Sequence, residues 1–217
     1  MIIDKNAKSL EENVFITLEE EILSCKLKRG DMLTETALST RLGVSRTPLR
    51  GALHRLYEEG LIDITPNRSA VVIGIGREEL LDIYKMRIRL EGLASAEASR
   101  RISYDDKKRL SEITELYDFY IAKRDAERLK ELDSEFHSII YRASGNRMLY
   151  KTLSDLHRNI QFYRKRSLAV DERVEKSSAE HKEILSAIMR GDSSEADRLT
   201  TAHVEAALEN LLRVSDL

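Results

Sequence analysis

Cysteine, proline and glycine are all scarce: one, two and nine in 217 residues. A single cysteine, Cys25, excludes an intramolecular disulfide and a thiolate metal cluster. It follows a leucine-rich stretch near an expected helix end and reads as a small buried residue rather than a reactive thiol. So few helix breakers imply long helices. No stretch approaches the apolar length of a membrane span, and the leading MIIDKNAKSLEEN has no apolar segment of a secretory signal. The expectation is a soluble, cytoplasmic chain. Net charge is lacking too, since 36 basic and 38 acidic side chains leave −2. Any nucleic-acid binding must then come from local charge.

What is present is helical punctuation. From Ser9 to about Cys25, Leu10, Val14, Leu18 and Ile22 recur at helical spacing, with Ser9 and Glu12 as a capping box. KLKRGDML breaks that helix. Thr34 is placed to cap TETALSTRL, which Gly43 stops, and Ser45 to cap RTPLRGALHRLYEEG, which Gly60 stops. LIDIT and AVVIG then read as two short strands around PNRS, a hairpin or wing. After Gly76 no strand signal remains. Six helices are expected at about 77–101, 104–123, 126–143, 147–166, 171–190 and 193–213. Ser103, Asp171, the SGN at 144–146 and Gly191-Asp192 mark their ends. The expected fold is mainly α: a winged helix-turn-helix over 1–75, then an all-α six-helix bundle over 76–217.

In a helix-turn-helix the second helix enters the major groove, and its first residues reach base edges. Here it begins SRTPLRGALHRL, with Leu49, Leu53 and Leu56 as the core stripe and Arg46 and Arg50 sharing the opposite face. Arginine can fork onto guanine or clamp a phosphate. From Thr36 to Tyr57 there are four arginines, Arg41, Arg46, Arg50 and Arg55, and no acid. Ser45 and Thr47 can donate to phosphate at the helix N-terminus. Arg68 at the wing tip can reach the minor groove or the backbone. His54, two turns on from Arg50, reads as a surface or packing residue.

The second half carries a candidate metal site. Asp133 and His137 are four apart and stack on one helix face, flanked by Leu129, Leu132, Phe136 and Ile140. His181 aligns with Ile184, Leu185 and Ile188, and His203 with Leu199 and Ala206. A buried Asp or His needs polar partners, and one divalent cation would satisfy all four. Imidazoles with one carboxylate suit zinc or nickel, and also manganese or iron. His157 falls outside this pattern and reads as a surface or pocket-wall residue.

RGDMLTETALSTRLGVSRTPLRGALHRLYEEGLIDITPNRSAVV resembles the DNA-binding domain of GntR-family regulators. KMRIRLEGLASAEAS, LDSEFHSIIYRASGN, AEHKEIL and AIMRGDSSEADRLTTAHV resemble the FCD effector domain of the FadR subfamily. Six effector helices are similar to the VanR-like branch. Two positions depart from the family pattern. Gly51 stands where the helix usually has glutamate, and Ser69 where the wing often has glycine. The resemblance implies that Asp133, His137, His181 and His203 hold the metal. It also implies that open coordination positions take a small organic acid, whose carboxylate would meet an arginine. Arg87 is the first candidate, with an intrahelical pair to Glu91 as its ordinary alternative. Arg164 follows, and Tyr84 and Asn159 are candidates for the cavity wall.

Together these features imply a homodimeric transcription regulator that reads an inverted-repeat operator in double-stranded DNA and responds to a small organic acid. Two other readings stay open here: a metal-dependent enzyme acting on a small organic acid, and a metal that is purely structural.

Overall fold

A computed structural model describes residues 9–24, 26–64, 69–160 and 171–214. The expectations for Cys25, Arg68 and Arg164 lie outside the described residues. Two compact units divide the chain, Met1–Gly76 and Arg77–Leu217. None of the described helices is long and apolar enough to cross a membrane.

The first unit holds α1 (Leu10–Leu23), β1 (Met32–Thr34), α2 (Glu35–Leu42), α3 (Arg46–Glu58), β2 (Ile62–Ile64) and β3 (Ser69–Val72). Its antiparallel sheet runs β1-β3-β2, with Met32 opposite Val71 and Ile62 opposite Val72. Val14, Phe15, Leu18 and Ile22 of α1 pack with Leu49, Leu53 and Leu56 of α3 and with Ile62 and Val72. Leu10, the first residue of α1, is 53% exposed, so the apolar stripe begins one turn later than its spacing predicts. Nothing in the spacing predicts β1. Three residues are too few to show a period, and only pairing with β3 makes them a strand.

The caps follow the sequence closely. The Ser9 and Thr34 hydroxyls accept from the Glu12 and Ala37 amides, and Gly43 takes the left-handed conformation, φ 65°, that ends α2. Ser45 is the exception. It has N-cap backbone angles but makes no side-chain capping bond. Gly51 has an unexpected neighbour, because the Glu11 carboxyl of α1 fills the space where a Cβ would stand. Gly51→Ala should stabilise this unit by up to about 1 kcal/mol, the helix-propensity difference, with the partly exposed Glu11 side chain swinging aside. The urea midpoint of unfolding reads this. A lower midpoint would show that Glu11 is held in place.

Among the described residues the second unit holds only helices: α4 (Arg77–Arg101), α5 (Tyr104–Lys123), α6 (Ala126–Ala143), α7 (Arg147–Asn159), α8 (Asp171–Arg190) and α9 (Ser193–Val214). The Ser103, Asn146 and Asp192 side chains accept from amides in the first turns of α5, α7 and α9. α7 is described to Asn159, and the rest of the expected 147–166 helix lies outside the described residues. Leu110, Ile113 and Tyr117 of α5 meet Leu129, Phe136 and Ile140 of α6 and Ile184 and Ile188 of α8. α4 and α9 approach through small side chains, where the Thr200 hydroxyl donates to Ser95 at 2.7 Å. The chain is therefore mainly α, with a winged helix-turn-helix ahead of a helical bundle.

Candidate metal centre and DNA-reading face

Three helices of the second unit bring four polar side chains into its interior. α6 supplies Asp133 and His137, α8 His181 and α9 His203, each no more than 4% exposed. Asp133 Oδ1 lies 3.6 Å from His181 Nε2 and 4.0 Å from His137 Nε2. The three histidines each offer a nitrogen, all within 4.8 Å of one another. Bonds of about 2.0–2.1 Å from one ion to imidazole place its donors roughly 3–4 Å apart, so only small shifts separate this cluster from a coordination shell. Phe136 stacks on the His181 ring at 4.3 Å, and Tyr117 meets its edge at 5.5 Å. His137 Nε2 is buried and has no hydrogen-bond partner among the described residues. The residues present therefore fit a divalent cation.

Behind these side chains lie two arginine–glutamate pairs, Arg87–Glu91, whose spacing the sequence shows, and Arg173–Glu180, which it does not. α4 carries Arg87 and Glu91 one turn apart, 2% and 0% exposed. Arg87 Nε donates to Glu91 Oε1 at 2.6 Å, and Glu91 Oε2 sits 3.0 Å from His137 Nδ1. Burial opposes the charge on Glu91, yet Arg87 and His137 hold its carboxyl well below the usual range. Burial also opposes the charge on Arg87, and Glu91 beside it more than offsets this. On the other side, His203 Nδ1 lies 2.6 Å from Glu180 Oε2, while Arg173 Nη1 donates to Glu180 Oε1 at 2.8 Å. Burial pushes the Glu180 carboxyl up, partly offset by Arg173.

The candidate effector residues fare differently. Arg87 makes the ordinary pair with Glu91, but the pair is buried and reaches a candidate ligand. Its Nη1 is buried with no hydrogen-bond partner among the described residues, and the same holds for Asn159 Oδ1. Tyr84 is 1% exposed, with the Arg87 guanidinium over its ring at 4.8 Å. His157 is buried, its ring 5.6 Å from that of His137, with Nε2 3.3 Å from Ser134 Oγ. It is a wall residue of this interior and not a surface one. Burial, then Arg87 and His137, hold it well below the usual histidine range.

In the first unit, the face of α3 presents Ser45, Arg46, Thr47 and Arg50, all exposed. Its arginine-rich, acid-free stretch does not stay acid-free in three dimensions. Arg41 forks onto Glu21 of α1 at 2.7 and 3.0 Å, and Arg50 onto Glu35 of α2 at 2.7 and 2.9 Å. Arg55 pairs with Glu12 at 2.5 Å and lies over the Phe15 ring. Arg46 alone of the four makes no ion pair with a described residue. His54 is a surface residue, with a side chain 67% exposed.

A winged helix-turn-helix joined to a helical bundle with a buried histidine cluster defines the class of DNA-binding transcription regulators. Residues 10–72 match the bacterial regulatory proteins of the gntR family, and residues 82–206 match the FCD domain. The chain belongs to the GntR family of transcriptional regulators, in the branch that carries an FCD domain. It is 24% identical over 205 residues to the HTH-type transcriptional repressor RspR of Escherichia coli, covering 94% of this chain and 90% of that one. It is 29% identical over 198 residues to the Nta operon transcriptional regulator of Aminobacter aminovorans, covering 88% and 90%. The structure of E. coli McbR/YncC shares the fold, with a TM-score of 0.76 at 22% identity over 95% of this chain and 99% of that one. GntR regulators bind DNA, and the enzyme reading is set aside: the chain is a regulator.

Proposed function

We propose that this regulator holds one divalent transition metal at Asp133, His137, His181 and His203, zinc or nickel first, manganese or iron otherwise. A small organic acid binds at that metal and sets operator affinity. The N-terminal residues 1–75 read DNA through Ser45, Arg46, Thr47 and Arg50, with Arg41 and Arg68 on the backbone. Residues 76–217 bind metal and acid and pair two cytoplasmic copies into a homodimer facing an inverted repeat. The observation that carries this reading is the cluster itself: four buried ligand-type side chains from three helices. The metal supplies a Lewis-acidic centre for a carboxylate. Arg87 supports the effector half, because a buried guanidinium with a spare donor is an anion-seeking group.

An effector acts only through unequal binding to two arrangements of the protein, and couplings of about 1–3 kcal/mol are usual. Metal-loaded protein titrated onto labelled operator should therefore change affinity roughly 5- to 150-fold with the right acid. Arg87→Gln should weaken the acid more than it weakens the metal, since all four ligand side chains remain. Leaving Glu91 buried beside a neutral side chain costs stability, so the variant's melting temperature is read alongside. Acid affinity unchanged in a folded Arg87→Gln protein would move the anchor elsewhere. Operator affinity indifferent to every acid tried would leave the metal a structural one.

A further inference from the structure

Two chains of side chains of the same composition end on the metal cluster. One runs Arg87–Glu91–His137 and the other Arg173–Glu180–His203, and in each the glutamate faces a histidine Nδ1. The arginines are 2% and 5% exposed. They differ in access. Glu91 is fully buried, whereas the Glu180 side chain is 26% exposed and lines a cleft of about 440 Å³ between α8 and α9, beside Arg173, Ala206 and Asn210.

A histidine that ligates through one ring nitrogen must carry its proton on the other, and an acceptor there fixes both tautomer and ring orientation. His203 Nδ1 has such an acceptor at 2.6 Å. The Arg173 guanidinium, held by Glu180 and by the His203 carbonyl oxygen at 3.4 Å, keeps that carboxylate in place. We infer that Glu180 is a positioning residue of the metal centre: backed by Arg173, it holds His203 as the Nδ1–H tautomer so that Nε2 faces the ion. Glu91 Oε2 comes within 3.0 Å of His137 Nδ1 but makes no hydrogen bond to it, so the role is assigned to Glu180 alone. This rests on the metal reading above, and it adds two residues, Glu180 and Arg173, that the helical spacing of the ligands does not single out. Of the two glutamates Glu180 is the one to test, because its carboxyl is partly exposed on a cleft, whereas Glu91 is fully buried.

The test compares wild type, Glu180→Gln and Glu180→Ala for zinc affinity by chelator competition, and for His203 ring-nitrogen shifts by NMR in metal-free protein. Outer-shell partners of this kind are worth roughly 10–100-fold in metal affinity. Glu180→Ala should fall near the upper end of that range and lose the Nδ1–H signature. Glu180→Gln keeps an acceptor oxygen, so it should retain the signature and fall near the lower end. A purely structural glutamate would change melting temperature and leave the tautomer alone. If Glu180→Ala does not fold, Glu180→Gln decides the matter: about tenfold weaker zinc binding supports the role, and affinity within twofold of wild type overturns it. If wild type takes up no metal at all, the metal reading fails. The ring-nitrogen shifts then still judge Glu180, and a His203 signature unchanged between wild type and Glu180→Ala overturns it.

Discussion

His181→Ala and His203→Ala are each expected to yield protein without bound metal, and wild type is expected to carry one divalent transition metal per chain. The expectation follows from the geometry of the cluster, in which three imidazoles from three helices bring their nitrogens within 4.8 Å. Removing any one leaves two imidazoles and a carboxylate, too few for a closed shell without solvent in a site that is at most 4% exposed. Elemental analysis counts the metal directly. Melting curves give a second measure, because a ligand bound only by the folded state adds RT ln(1 + [L]/Kd), about 2.7 kcal/mol at a hundredfold excess over Kd. For a chain of this size that is a rise of roughly 5–11 °C, and neither variant should show it. Wild type that stays metal-free after incubation with zinc, nickel and manganese would sink the site.

The second large effect concerns DNA. Arg46→Ala should cost about 1–3 kcal/mol of specific operator binding, the usual worth of a bidentate base contact, or roughly 5- to 150-fold. Arg41→Ala should cost much less. The reason is competition. Arg41 is held on both nitrogens by Glu21, so DNA must break that fork to use it, whereas Arg46 is exposed and has no ion pair with a described residue. Arg50 should fall near Arg41, since its fork to Glu35 has the same two-bond geometry and nearly the same exposure, 49% and 16% against 40% and 11%. Fluorescence anisotropy on one operator, at one salt concentration, ranks the three. Equal losses for Arg41→Ala and Arg46→Ala would remove the argument from ion pairing.

Among the described residues, several helix boundaries in the second unit were legible because they carry a local signal, a capping side chain or a glycine. Ser103, Asn146 and Asp192 each bond the amides that their positions in the sequence imply. The convergence of Asp133, His137, His181 and His203 was legible from apolar stripes, which say which face of a helix turns inward. What escaped is whatever depends on a partner far along the chain. Arg87 and Glu91 have the spacing of a surface pair, and only the packing of α4 shows them fully buried and touching His137. Glu180 is adjacent to His181 yet serves His203 on another helix. The arginines between Thr36 and Tyr57 have no acid in their own segment because their partners, Glu12, Glu21 and Glu35, precede it in the chain. β1 escaped for the same reason on a smaller scale.

The candidate metal cluster draws on α6, α8 and α9, and α9 follows the other two in the chain. As the chain leaves the ribosome, Asp133 and His137 emerge first, His181 later and His203 last. An ion held by all four would therefore be captured only once α9 has docked, and capture would mark a completed unit. A chain cut short before α9 would lack both His203 and the helix that brings it in, and so could not retain the ion or respond to an acid bound there.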